Sequence, residues 1–157
     1  MPKEIIQGNF QDQILWRTFN YEIIKNIYEK YSGTIIIPMT VCNKNYFDEI
    51  IGKLLTDNIK IDHYILGASK ETILKRLSKR HDGKESWPAQ QIDICINGFK
   101  ELMDKSIYID TNRLKINEVA NIISEKSDIK LMEDNSIEII KKIKRGIVQI
   151  KHIKIFG

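Results

Sequence analysis

The chain has 157 residues, 42% hydrophobic and 29% charged, which suits one domain with a buried core rather than a fibrous or membrane-spanning protein. Its formal net charge of +4 is concentrated at the end: residues 136–157 contribute +5 and residues 1–135 contribute −1. Because the body is not basic, a general nucleic-acid-binding surface is excluded.

The first half of the chain predicts a helix, a strand and a second helix. Residues 10–32 have apolar side chains at helical spacing, and the inward set is predicted to be Ile14, Leu15, Phe19, Ile23, Ile27 and Tyr28. Residues 34–41, TIIIPMTV, are a continuous apolar run typical of a strand buried on both faces. Residues 43–58 predict a helix whose inward side chains are Phe47, Ile50, Ile51, Leu54 and Leu55.

The second half repeats this alternation. Strands are predicted at 60–69 and 106–111, and helices at 70–80, 87–104 and 116–127, with a glycine-containing turn, HDGKES, after the first of these helices. Apolar strands separated by helices favour an α/β fold in which helices flank a parallel sheet.

Three polar motifs have both a structural and a functional interpretation. Arg76 and Arg80 are four residues apart on a predicted helix, so both side chains project from the same face. They form either an exposed basic face or a clamp for phosphate oxygens. Thr111 and Asn112 follow a predicted strand. They belong either to an ordinary turn or to a ligand site, because ligands in open α/β folds bind at the carboxyl ends of the strands.

The third motif is the adjacent pair Trp16 and Arg17 on the first helix. The indole is either a core residue beside a solvated arginine, or it stacks on a flat ligand while the guanidinium binds an anion. The two cysteines, Cys42 and Cys95, are expected to be small buried hydrophobic residues. No histidine or cysteine stands at metal-ligand spacing, so no metal ligands are assigned.

Taken together, LWRTFNY, PMT, ASKETILKRL and SWPAQQID occur in an order that resembles the tunicamycin resistance protein family, a branch of the P-loop kinases. The resemblance extends from about residue 2 to about residue 155. It implies a three-layer parallel sheet of the nucleoside and nucleotide kinase type, ATP and Mg²⁺ as cofactors, and a nucleoside-like antibiotic of the tunicamycin type as ligand. It also implies a kinase-like domain over 1–134, with a lid at about 76–92.

The resemblance further implies roles for particular residues. Arg76 and Arg80 would serve the nucleotide, with Arg80 reaching the transferring phosphates as the catalytic residue, and Thr111 and Asn112 would border the adenine. Ser86, Trp87 and Gln91 would belong to the lid and its hinge. The acceptor substrate would be contacted by Trp16, Arg17, Thr40 and Trp87.

The sequence departs from this family because it has no G-x-x-x-x-G-K-[ST] phosphate loop. The first strand and the phosphate loop are expected upstream of Met1, so the chain is interpreted as N-terminally truncated. The predicted strand 34–41 contains Thr40 rather than an acidic residue, which leaves the magnesium ligand unassigned. In full-length form the family implies an ATP-dependent phosphotransferase that phosphorylates or sequesters the antibiotic. The alternative is a non-catalytic antibiotic-binding protein or an inactive fragment.

Residues 135–157 predict a basic amphipathic C-terminal helix with Ile140, Ile143, Ile147 and Ile150 on one face. This helix either packs on the domain or contacts an anionic membrane surface. The expected location is cytoplasmic, with peripheral contact at the inner membrane surface through 136–157 in the second case.

Overall fold

Helices and strands alternate along residues 9–83 and 85–132, the part of the chain that the computed structural model describes. The helices are α1 (Ile14–Lys30), α2, α3 (Lys70–Lys79), α4 (Trp87–Gln90), α5 (Ile92–Glu101) and α6 (Ile116–Lys126). Helix α2 is α-helical at Lys44–Phe47 and Lys53–Thr56 and π-helical at Asp48–Gly52 between them. The strands are β1 (Tyr64–Gly67) and β2 (Ile107–Asp110), and this order confirms an α/β chain.

Local side-chain hydrogen bonds fix where several helices begin. The Asn43 side chain accepts two backbone N–H groups from the first turn of α2, and the Ser69 hydroxyl accepts the N–H of Thr72 in α3. At α6, the backbone N–H of Lys115 donates to a carboxylate oxygen of Glu118 at 2.6 Å. This contact is the glutamate half of a capping box, and it offsets the absence of a serine at the start of α6.

The two strands pair in parallel, with Tyr64 opposite Ile107 and Gly67 opposite Asp110. Parallel strands need a crossover connection, and here α3, α4 and α5 provide it. Because side chains alternate across a strand, Ile65 and Ile109 are buried while their neighbours are partly or largely exposed. The predicted strands at 60–69 and 106–111 are therefore confirmed in their central residues.

Helix α2 and the sheet share a hydrophobic core in two clusters. One is formed by Val41, Phe47, Ile65 and Leu102, and the other by Ile50, Leu54 and Ile59, against which Trp16, Tyr21 and Ile24 of α1 pack. Four of the five inward residues predicted for α2 lie in or against these clusters, whereas Leu55 is exposed.

The predicted strand at 34–41 is wrong for this structure. Residues 34–43 have no regular secondary structure, and the sheet of the described residues contains β1 and β2 only. Ile36, expected to be buried, is 81% exposed. An apolar, β-branched run becomes a strand only when a neighbouring edge satisfies its backbone and covers its side chains, and no described strand pairs with this segment.

The predicted inward face of α1 is also wrong. All six side chains expected to be inward are exposed, namely Ile14, Leu15, Phe19, Ile23, Ile27 and Tyr28. The helix instead turns Arg17, Tyr21 and Ile24 toward α2. A periodic pattern identifies an apolar stripe, but it does not show which side of the helix the rest of the fold covers.

The predicted C-terminal helix, 135–157, lies outside the described residues, as does Lys84 within the predicted lid. Within the described ranges, no helix is both long enough and apolar enough to cross a membrane.

Candidate functional site

The carboxyl end of the sheet brings together Arg76, Thr111 and Asn112, three of the residues predicted to serve a nucleotide. Thr111 extends the strand ladder, because its backbone N–H donates to the carbonyl oxygen of Gly67 at 2.8 Å. Its hydroxyl donates to the same oxygen at 2.8 Å, and the side chain is buried. The Arg76 guanidinium, reaching from α3, donates to the Thr111 hydroxyl at 2.9 Å and to the Thr111 carbonyl at 2.6 Å.

Asn112 connects the loop after β2 to the start of α3. Its side-chain oxygen accepts the backbone N–H of Ser69 at 2.9 Å, and its amide group donates to the Asp110 carboxylate at 2.7 Å. The sequence-predicted cluster therefore exists at the predicted edge. The Arg76 guanidinium nevertheless donates to Thr111, and the Asn112 side chain bonds to Ser69 and Asp110. These hydrogen bonds join α3 to the sheet.

Arg80 does not join this cluster. Arg80 is the C-cap of α3, directly after the last helical residue, Lys79. Its guanidinium donates to the Asp82 carboxylate at 2.7 and 3.0 Å, in a largely exposed ion pair. The next residue, His81, has a positive φ of 65° that turns the chain away from the helix axis. The structure therefore does not form a clamp of two arginines.

An open cavity of about 930 Å³ lies beside the carboxyl end of β1 and brings together three predicted substrate-binding residues, Trp16, Thr40 and Trp87. They come from α1, from the extended segment after residue 34 and from α4. Most of the remaining lining is apolar, including Ile65 and Leu66 of the strand. Cavities with apolar walls and a few polar groups are the usual form of small-molecule sites.

The two tryptophans differ in how they are held. Trp16 is partly buried and packs edge-to-face on Phe10, with the ring centroids 5.2 Å apart. Trp87 is the first residue of the short helix α4 and is 52% exposed, so about half of its surface is accessible to a ligand. The adjacent Ser86 hydroxyl is buried and has no hydrogen-bond partner among the described residues. Gln91, the other predicted lid residue, also lines the cavity.

Arg17, the fourth predicted substrate residue, lies outside the lining of this cavity as far as the described residues show. It is buried, donates to the Glu49 carboxylate at 2.6 Å and to the Gln11 carbonyl at 2.5 Å, and stacks over the Tyr46 ring at 4.3 Å from its centroid. These three contacts give Arg17 the geometry of a residue that holds α1 against α2.

Sequence reasoning missed two features of the cavity. The buried Gln11 donates to the Thr40 carbonyl at 2.7 Å and holds the extended segment in place. Cys42 and Cys95 both line the cavity, although they were expected to be simple core residues. No sequence signal joined the cysteines, because they are far apart in the chain and belong to no spacing motif.

The described residues do not by themselves fit Mg-ATP. No group of three or more histidine, cysteine, aspartate or glutamate side chains in the described ranges could hold a metal ion. The Arg76 guanidinium is engaged with Thr111, and the whole sequence lacks the loop whose backbone amides would bind phosphates.

Comparison with known proteins gives no further assignment: no family model matches the chain, and no curated protein or solved structure matches it significantly.

Proposed function

We propose that this chain binds a nucleoside-like antibiotic of the tunicamycin type in the cavity beside β1. One observation carries the proposal: Trp16, Thr40 and Trp87, selected from the sequence resemblance and distant along the chain, line the same cavity.

The chemistry of the cavity suits such a ligand. A nucleobase is flat, with polar edges and a π face, and aromatic side chains stack on that face at a gain of about 1–3 kcal/mol per base. The half-exposed Trp87 offers such a surface, and the exposed Thr40 supplies a hydroxyl at the cavity wall. The apolar remainder of the lining would exclude water around the bound ring.

The proposal places ligand sequestration ahead of phosphoryl transfer. The resemblance suggests an ATP-binding, kinase-like protein with a three-layer sheet, in which Mg²⁺ accompanies the nucleotide and Arg80 serves the phosphates. In that extension, Arg76, Thr111 and Asn112 at the carboxyl end of the sheet would border the adenine. Against transfer by this chain stand the missing phosphate loop and the pairing of Arg80 with Asp82. We also propose that the protein is cytoplasmic and contacts a membrane surface through residues 136–157.

Intrinsic fluorescence provides a direct test, because the chain has two tryptophans and both line the cavity. Titration with tunicamycin should change the emission of the wild-type protein, and uridine should compete. Trp87→Ala should weaken binding, measured by isothermal titration calorimetry, by about tenfold, which corresponds to about 1.4 kcal/mol of lost stacking.

A matched control is Phe19→Ala, since Phe19 is an exposed aromatic residue of α1 outside the cavity lining. That variant should bind as the wild type does. Equal affinity of Trp87→Ala and wild-type protein, or no binding by either, would contradict the proposal. Mass spectrometry of the antibiotic after incubation with protein and Mg-ATP separates the two mechanisms: sequestration leaves its mass unchanged, and transfer adds a phosphoryl group.

A further inference from the structure

The two cysteines approach each other across one wall of the cavity. Cys42 lies in the segment before α2, and Cys95 lies on α5; both are free, partly buried and part of the cavity lining. The chain contains no other cysteine. Their meeting therefore depends on tertiary packing between segments that are distant in sequence.

Gly98 shows how closely α5 packs on Cys42. A side chain at Gly98 would collide with the carbonyl oxygen of Cys42 and lie 3.2 Å from its Cβ. Cys95 is three residues before Gly98, so both project from one face of α5. The glycine thus lets the helix backbone rest directly on the Cys42 backbone, and this contact sets the Cys95 side chain beside the Cys42 side chain.

The two thiols are not equivalent. A hydrogen bond from the Cys95 thiol stabilises the Cys42 thiolate and lowers the pKa of Cys42 to about 7. The same interaction raises the pKa of Cys95, because a second negative charge would stand beside the first. Cys42 also lies one residue before Asn43, the N-cap of α2, where the helix dipole favours negative charge. This position at the start of α2 favours Cys42 as the nucleophile of the pair.

We propose that Cys42 and Cys95 form a redox-sensitive dithiol, which a low-molecular-weight disulfide such as oxidised glutathione converts to an intramolecular disulfide. The Cys42 thiolate attacks one sulfur of the glutathione disulfide, and the first glutathione leaves as its thiolate. The Cys95 sulfur, losing its proton to solvent, then attacks Cys42 and displaces the second glutathione. Two protein thiols are oxidised and one glutathione disulfide is reduced to two glutathione molecules.

The disulfide would attach the segment that contains Thr40 to α5. Both lie in the cavity wall, so oxidation would fix that wall in a single arrangement. The proposal concerns the thiols and requires no particular ligand, so it is independent of the function proposed above.

Intact-protein mass spectrometry tests the inference. The reduced chain is equilibrated with reduced and oxidised glutathione at several ratios and quenched in acid. Wild-type protein should lose two hydrogen atoms without accumulating a glutathione adduct, and with two cysteines in the chain that loss identifies the Cys42–Cys95 bond. Cys95→Ser should stop at a stable single adduct on Cys42, and Cys42→Ser should form its adduct more slowly. The first step should accelerate between about pH 6 and pH 8 as the thiolate forms.

Repeating the equilibrium in concentrated urea distinguishes native proximity from chance encounter. The folded chain should form the disulfide at a glutathione ratio at least about tenfold more reducing than the unfolded chain requires. Accumulation of mixed disulfides or of disulfide-linked dimers by the folded wild-type chain would overturn the proposal. Equal oxidation in native buffer and in urea would overturn it as well.

Discussion

Replacing Arg17 with methionine tests whether this residue holds the fold together or contacts a ligand. The side chain is 7% exposed, whereas its partner Glu49 is 39% exposed. Methionine keeps most of the buried volume and removes the charge and its hydrogen bonds. The Glu49 carboxylate, left without its partner, can still be hydrated by solvent.

The magnitude follows from three contacts. Hydrogen bonds to charged groups contribute about 1.5–3 kcal/mol each, and the lower value applies to the Glu49 bond because that carboxylate is partly hydrated. The bond to the Gln11 carbonyl is buried and adds about 1.5 kcal/mol. Stacking on Tyr46 adds about 0.5 kcal/mol. Methionine recovers part of the apolar contact, so the expected loss in the free energy of unfolding is about 3 kcal/mol.

Urea unfolding followed by far-ultraviolet circular dichroism measures this loss without depending on the tryptophan beside Arg17. Glu49→Gln provides the matched variant, because glutamine keeps an acceptor oxygen and removes the charge. It should cost about 1 kcal/mol, and the double variant should show a coupling energy of about 1–2 kcal/mol.

The structural interpretation of Arg17 would be refuted by a loss of less than about 1 kcal/mol together with loss of antibiotic binding. That pair of results would mean that the guanidinium serves a ligand and that its contacts with Glu49 and Gln11 are incidental.

Three further variants test the packing and the sheet. Gly98→Ala should lose about 1–3 kcal/mol in urea unfolding, because its methyl group meets the rigid backbone carbonyl of Cys42. Gly67→Ala meets only the ring of Tyr108, an exposed side chain that can rotate away, so its loss should stay below about 1 kcal/mol; equal losses would contradict this distinction. Burial lowers the pKa of His63, so the unfolded state takes up the proton first and the free energy of unfolding should fall as the pH drops below about 6.5. His63→Gln should have a shallower decrease between about pH 7 and pH 5 than the wild type, and an unchanged slope would contradict the assignment.

Much of the local structure could be predicted from the sequence because it depends on short-range chemistry. Apolar runs around Ile65 and Ile109 predicted the two strands, and helical spacing over 70–80 predicted α3. These signals need no knowledge of distant residues. The predicted clamp did not form because the Arg80 guanidinium donates to Asp82, two residues further along the chain.

The failures have a common physical origin in tertiary context. The isoleucines of 34–41 match a buried strand, but a strand forms only beside another edge. The apolar residues of α1 match a buried face, but the helix packs on α2 through Tyr21 and Ile24 and through the Arg17–Glu49 ion pair instead. At the site, the sequence identified Arg76 and Thr111 as candidates. It did not predict the hydrogen bonds between them, because the two residues are 35 positions apart and such a contact leaves no local pattern.

The crossover between β1 and β2 has a kinetic consequence. Each pair of facing residues is separated by 43 positions, as in the hydrogen bond between His63 and Ser106 at the entrance to the sheet. Closing a loop of that length costs on the order of 3 kcal/mol of chain entropy before the first ladder bond forms. Helices nucleate without this cost, so we expect the two strands to pair late during folding.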